Sequence, residues 1–137
     1  MDFPQYTSMH LVKGEDLNHH GTLYAGRTAE WFVESGFIAA ASLTKPENIV
    51  CLKIHGMTFT RPIRKGDLAA FTSQVVLTGE TKIVSYIQVK VHDKVAVHGF
   101  ITFVHVDLDG KPQPHGYVYE PHTDEEKALH EEAKTLA

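Results

Sequence analysis

Glu34 is the residue best suited to chemistry, since from Trp31 to Leu43 it is the only ionisable side chain. If the helix expected there is buried, an isolated carboxylate is desolvated and its pKa driven upward, the setting of many general bases and nucleophiles. The bland reading has Glu34 facing outward beside Glu30, one turn earlier, in an ordinary solvated stripe. The second feature is the run Asp16-Leu-Asn-His-His-Gly-Thr-Leu-Tyr-Ala-Gly26. A glycine at a helix start leaves backbone N–H groups open, and with the helix dipole these polarise a carbonyl or hold an anion. The bland alternative is a tight turn feeding a helix. Gly26 and Glu34 are eight positions apart, roughly 12 Å along one helix axis. One carbonyl cannot touch both within a single chain. Two copies packed with antiparallel helices bring Glu34 of one toward Gly26 of the other, so joint action requires at least a homodimer.

These residues need elements to hold them. Residues 6–12 read as an opening strand, and Lys13 to Gly21 as a polar loop bracketed by glycines. Gly26 to about Leu43 has the length and alanine content of a helix, with apolar residues on nearly every face, which predicts burial all round. Gly36 inside it costs about 1 kcal/mol relative to Ala and points to a close contact. After Lys45-Pro46, the stretches 49–59, 67–78, 81–91 and 95–106 are rich in Val, Ile, Thr and Phe. The turns expected between them are Arg61 to Gly66, Thr-Gly-Glu and His-Asp-Lys. Connections that short suit antiparallel neighbours. The fold class expected is α+β: one long central helix wrapped by a curved antiparallel sheet. Residues 1–121 form a single domain in this reading. Residues 122–137 form a C-terminal surface helix, with Thr123 as N-cap and Glu126 at the capping-box position.

The chain of 137 residues is the size of one domain. Its 42% hydrophobic and 22% charged residues exclude disorder, collagen-like repeats and a coiled coil. A net charge of −4 offers no basic footprint for nucleic acid. The stretch from Trp31 to Leu43 is too short to span a bilayer, and residues 1–12 contain no signal-like apolar run. With one cysteine, Cys51, no internal disulfide or zinc knuckle is available. A cytoplasmic protein is expected, with no membrane partner. Cys51 is read as core, and it lies too far along an extended strand from His55 for a dyad. No His-Glu-x-x-His pattern occurs among the ten histidines, and no metal is expected.

Asp16-x-Asn18-x-x-Gly21-x-x-Tyr24-Ala-Gly26, then Trp31-Phe-Val-Glu-Ser-Gly, then Gly56-Met-Thr-Phe-Thr-Arg-Pro-Ile-Arg-Lys-Gly-Asp67 together resemble the hotdog-fold acyl-CoA thioesterases over about residues 6 to 106. The resemblance implies a helix held in an antiparallel sheet and hydrolysis of acyl-CoA thioesters at a dimer interface. By position it implies Glu34 as base or nucleophile, the Gly26 N–H polarising the thioester carbonyl, and Asn18 or His19 orienting water or substrate. Many such hydrolases carry Gly-Gly where Ala25-Gly26 stands and an acidic residue at the position of Val33. A branch resembling the aryl- and fluoroacetyl-CoA thioesterases has a glutamate that suits Glu34, and a third branch uses an aspartate matched by Asp16. No cofactor is expected beyond coenzyme A within the substrate, and tetramers or hexamers are left open.

The basic cluster of Arg61, Arg64 and Lys65, read as a hairpin, attracts coenzyme A phosphates by charge or is an ordinary solvated turn. Trp31, Phe32, Phe37, Phe59 and Tyr24 line a pocket or are core. Two competing functions are a 3-hydroxyacyl thioester dehydratase or hydratase pairing His20 with Glu34, and a protein that binds acyl-CoA without turnover.

Overall fold

The β-rich stretches after Lys45 join the opening strand in one antiparallel sheet in the computed structural model, which describes residues 3–136. Met1, Asp2 and Ala137, included in the expected domain and tail, lie outside the described residues. In chain order the elements are β1 (Tyr6–Leu11), α1 (Ala25–Ala41), β2 (Ile49–Ile54), β3 (Thr58–Phe59), β4 (Leu68–Thr78), β5 (Lys82–Val91), β6 (Lys94–His105) and α2 (Asp124–Lys134). The sheet runs β1-β4-β5-β6-β2, with β3 also on β6. Register shifts interrupt β2, β4 and the β5–β6 ladder, and such bulges bend and twist a sheet.

The strand expected over 49–59 is broken at His55-Gly56-Met57, although both halves pair with β6. Gly56 has φ 125°, and its carbonyl would sit 2.1 Å from any Cβ placed on Gly99. The break therefore depends on a glycine in each strand: one to turn the chain, one to admit its backbone.

Arg61 to Gly66 is not a hairpin. β3 lies on β6, whereas β4 lies between β1 and β5, so this segment crosses the end of the sheet. It is fixed on the way: the Leu23 N–H donates to the Ile63 carbonyl at 2.7 Å, and Thr22 bridges to Arg64. The other two short connections are hairpins, and His92 and Asp93 both take the left-handed conformation (φ 52° and 62°) suited to a tight two-residue turn.

Helix α1 corrects the expectation of burial on every side. Thr28, Phe32, Ser35, Gly36, Ala39 and Ala40 form one buried stripe, at spacings that recur on a single helical face, packed on β4 and β5. Glu30 and Glu34 are exposed on the other side, and Trp31, Val33, Phe37 and Ile38 are half-buried between. The many small residues fill a narrow contact strip, so apolar composition overstated the buried arc. The close contact expected at Gly36 is present: a Cβ there would be 3.0 Å from the Ile87 Cδ1. Ser73 and Ser85, both buried, donate to the Ser35 and Gly36 carbonyls at 2.6 and 2.9 Å. Two strands thus grip consecutive helix residues by hydrogen bonds as well as packing.

On the opposite face of the sheet, Val76, Val84 and Phe100 pack with Ala133 and Leu129 of α2. Its start is the expected capping box. The Glu126 N–H donates to Thr123 Oγ1, and Glu126 Oε1 accepts from the Thr123 N–H, each at 3.0 Å. Cys51 is exposed rather than core, because β2 is an edge strand on which only Ile49 is buried. The same edge exposes Val50, Leu52 and Ile54, and Phe59 follows on β3.

Candidate active site

The loop before α1 is built by two short acidic or amide side chains. Asp16, only 4% exposed, accepts from the Lys13 N–H at 2.9 Å through Oδ2 and meets Arg27 Nε at 3.3 Å through Oδ1. Its own carbonyl accepts from the Tyr24 N–H at 2.8 Å. Asn18 Oδ1 accepts from the His20 and Thr22 N–H groups at 2.8 and 3.2 Å, while its Nδ2 donates to Thr22 Oγ1 at 3.0 Å. Side chains that bond the backbone two to four residues on are the usual means of holding a tight loop. His19 and His20 are exposed on its tip.

The loop delivers Tyr24 as the N-cap of α1, with no side chain capping the first turn. The Tyr24 carbonyl takes both the N–H and Oγ1 of Thr28 at 3.0 and 3.1 Å, which leaves the earlier N–H groups, Gly26 included, without intrahelical acceptors. The Tyr24 ring lies over Gly26: a Cβ there would be 2.4 Å from its Cε2. A side chain at Gly26 would displace that exposed ring, while the dipole concentrates positive potential at the same turn.

A cleft of about 370 Å³ opens beside this turn, lined by Asn18, Thr22, Ala25 and Thr28 on one side and Phe59 and Arg61 on the other. Arg61 and Pro62 also line a second groove, toward the β5–β6 turn. The structure thus brings Asn18, Arg61 and the Gly26 turn together. It does not bring Glu34 to them within one chain. Glu34 lies two helical turns on, exposed beside half-buried Trp31, Val33 and Phe37, so the desolvation expected for it is absent from the single chain. Arg64 lines the second groove, and Lys65 lines neither. Of the aromatic residues read as pocket or core, Phe32 is core, Phe59 lines the cleft, and Tyr24 is exposed. Trp31 is half-buried, stacked on His10 with ring centroids 4.1 Å apart.

Thr28 and the loop-forming role of Asn18 were not anticipated. The threonine at the third position from Tyr24's neighbour was the only available signal for the former. Among the described residues, no group of three or more His, Cys, Asp or Glu side chains is placed to hold a metal ion, and no helix is long and apolar enough to cross a membrane.

Residues 20–102 match the family model of the thioesterase superfamily. The chain belongs to the thioesterase superfamily. It is 31% identical over 124 residues to the uncharacterized acyl-CoA thioester hydrolase YkhA of Bacillus subtilis, covering 86% of this chain and 71% of that one. An acyl-CoA hydrolase from Staphylococcus aureus, solved with butyryl coenzyme A and coenzyme A, superposes with a TM-score of 0.83 at 25% identity over 95% of this chain and 79% of that one. A hexameric acyl-CoA thioesterase superposes at 0.84 with 28% identity, covering 95% and 86%. The sheet with helices on its two faces is the hotdog fold of these thioesterases, and this superfamily member is a thioester-hydrolysing enzyme.

Proposed function

We propose that this thioesterase hydrolyses acyl-CoA thioesters to free acid and coenzyme A, at a site completed by a second copy of the chain. The observation that carries the reading is the uncapped first turn of α1, which borders a cleft through Ala25 and Thr28, with Gly26 in the same turn. There the Gly26 N–H donates a hydrogen bond to the thioester oxygen as negative charge develops on it in the tetrahedral intermediate. Glu34 of the partner copy is the carboxylate, either deprotonating water or attacking the carbonyl to give a mixed anhydride. Asn18, whose side chain holds the loop, or His19 beside it orients water or substrate. Asp16 is the weaker candidate, because both of its oxygens are engaged within the loop.

The second copy is argued from what one chain leaves uncovered. The β2 edge exposes Val50, Leu52 and Ile54, an apolar edge of the kind that pairs with another strand. Helix α1 touches β2, and its half-buried Trp31 and Phe37 flank Glu34. Covering that face desolvates Glu34 and places it opposite a neighbouring helix start. Assembly beyond the dimer, into the hexamer reported for similar enzymes, belongs to the same proposal. Arg61, Arg64 and Lys65 attract the substrate's phosphates, and no cofactor is needed, since coenzyme A enters as part of the substrate. An exposed Cys51 thiol suits a reducing, cytoplasmic location.

The test is free-thiol release from short-, medium- and long-chain and aryl-CoA thioesters by the wild type and Glu34→Gln. Turnover by the wild type is expected, with kcat falling about 10²–10⁴-fold in the variant at unchanged oligomeric state. Full activity in Glu34→Gln moves the chemistry to the Asp16–His20 loop. No release from any wild-type reaction refutes the hydrolase.

A further inference from the structure

Tyr24 ends the loop before α1 with its backbone fixed on both sides. Its N–H donates to the Asp16 carbonyl at 2.8 Å, and its own carbonyl accepts from the Thr28 N–H and Oγ1 at 3.0 and 3.1 Å. Asp16 is in turn fastened to Lys13 and Arg27. The ring has no such engagement. It is 57% exposed, and among the described residues its hydroxyl has no hydrogen-bond partner. A phenol held out from a rigid backbone, with its O–H unspent, is a donor available to a ligand.

The ring does not reach into solvent but lies back over the first turn of α1. A Cβ built on Gly26 would be 3.1 Å from the Tyr24 hydroxyl oxygen, and a Cβ stands about 2.5 Å from its own backbone nitrogen. The phenol oxygen is therefore within about 6 Å of the Gly26 nitrogen. Cβ positions on a helix tilt toward its N-terminus, the direction in which the first-turn N–H groups also point. The free O–H and the free N–H thus stand on one side of one turn. Hydrogen bonds to oxygen are about 2.7–3.0 Å long, so a single oxygen atom fits between the two donors. Gly26 also shares a helical face with Glu30, Val33 and Phe37, at spacings of four, three and four. None of these belongs to the buried stripe. Tyr24 therefore borders the uncovered face of α1 on which a second copy is proposed to pack.

We propose that the Tyr24 hydroxyl is a catalytic residue of the hydrolysis, the second hydrogen-bond donor to the thioester oxygen beside the Gly26 N–H. The proposal rests on the acyl-CoA reading above and deepens it at the same site. As the nucleophile, water or Glu34 of the partner copy, bonds to the carbonyl carbon, the carbonyl π pair moves onto oxygen. Two donors rather than one then meet the charge. Tyr24 keeps its own proton throughout. The pair returns as the C–S bond breaks, and the proton of the released thiol comes from the water consumed. Because the Tyr24 backbone is pinned before substrate arrives, only side-chain torsions remain to be set, and little reorganisation opposes the transition state.

Tyr24→Phe and Tyr24→Leu in the full chain test this, beside the wild type, each checked for unchanged oligomeric state and denaturation midpoint. Thiol release is measured on the acyl-CoA that the wild type hydrolyses fastest. The second measurement is difference infrared spectroscopy of that substrate's ketone analogue, in which CH2 replaces the thioester sulfur. Tyr24→Phe keeps the ring over Gly26 and removes only the hydroxyl. It is expected to lower kcat about 10²-fold, the scale of losing one oxyanion donor, with KM within about twofold. Tyr24→Leu is expected to fall as far. The carbonyl stretch of the bound ketone is expected to be lowered in the wild type and lowered less in Tyr24→Phe, a change that loss of packing alone does not produce. Full kcat in Tyr24→Phe overturns the proposal, and if Tyr24→Leu alone is impaired the ring serves packing. A rise in KM at unchanged kcat overturns it too, as does a carbonyl stretch identical in wild type and Tyr24→Phe. Wild-type hydrolysis with a fully active Tyr24→Phe sinks this inference and leaves the acyl-CoA reading standing. Absence of thiol release from the wild type sinks both.

Discussion

At the scale of single residues, the candidate site separates groups that hold the loop from groups proposed to face the substrate. Asp16 is the sharpest case, because its type suits either role. Its burial and two engaged oxygens make it a fastener between the loop and Arg27 at the start of α1. Asp16→Ala strands the Lys13 N–H and leaves the Arg27 guanidinium with Glu30 alone, and is expected to cost about 1–3 kcal/mol in urea unfolding. Asp16→Asn keeps an acceptor for the Lys13 N–H and is expected to cost less, with turnover retained. Turnover abolished in a fully stable Asp16→Asn would make this residue, not Glu34, the working carboxylate. Glu34 was conspicuous in the sequence as the lone charge in an apolar run. Its exposure in one chain was not, because the number of apolar residues says little about how wide an arc the sheet covers.

At the scale of elements, the site depends on a strand that is interrupted rather than continued. The break between β2 and β3 lets Phe59, Thr60 and Arg61 turn toward the α1 start, and it exists because Gly56 and Gly99 meet backbone to backbone. Gly99→Ala places a Cβ against the Gly56 carbonyl oxygen, which has no rotamer by which to move away. It is expected to lower stability by about 1–3 kcal/mol, the usual cost of overpacking, measured as a fall in the denaturation midpoint. An unchanged midpoint would mean that the arch is free to lift, and that it does not set the cleft. Helices α1 and α2, the four β-rich stretches and the α2 capping box were legible from periodicity, propensity and spacing. The strand break was not, since Gly56 announces a turn only once Gly99 is known to lie beneath it. The crossover at Arg61 was misread as a hairpin because a short connection specifies distance, not which strand comes next to which.

At the scale of the whole molecule, an active site shared between copies has a consequence that no single-chain site has. Gly26→Pro removes the proposed donor N–H at a position in the first helical turn where proline is tolerated, and Glu34→Gln removes the carboxylate. Each variant alone is expected to be nearly inactive. Mixed in equal amounts and allowed to exchange subunits, half the dimers become hybrids with one intact site of two. About a quarter of wild-type activity is therefore expected to return, as two-fold symmetry requires. No recovery after exchange shown by native mass spectrometry would place both groups in the same chain's site.

The sequence by itself determined the elements, the loop before α1 and the two groups proposed for chemistry, because local propensity, capping and charge isolation are properties of neighbouring residues. The spacing of Gly26 and Glu34 along one helix even required a second copy if the two act together. Only the tertiary structure decided which helix face is covered, which strands are neighbours, and that the β5–β6 turn lies beside the 61–67 crossover. Those depend on strand order and on backbone contact between residues far apart in the chain, and no local pattern encodes either.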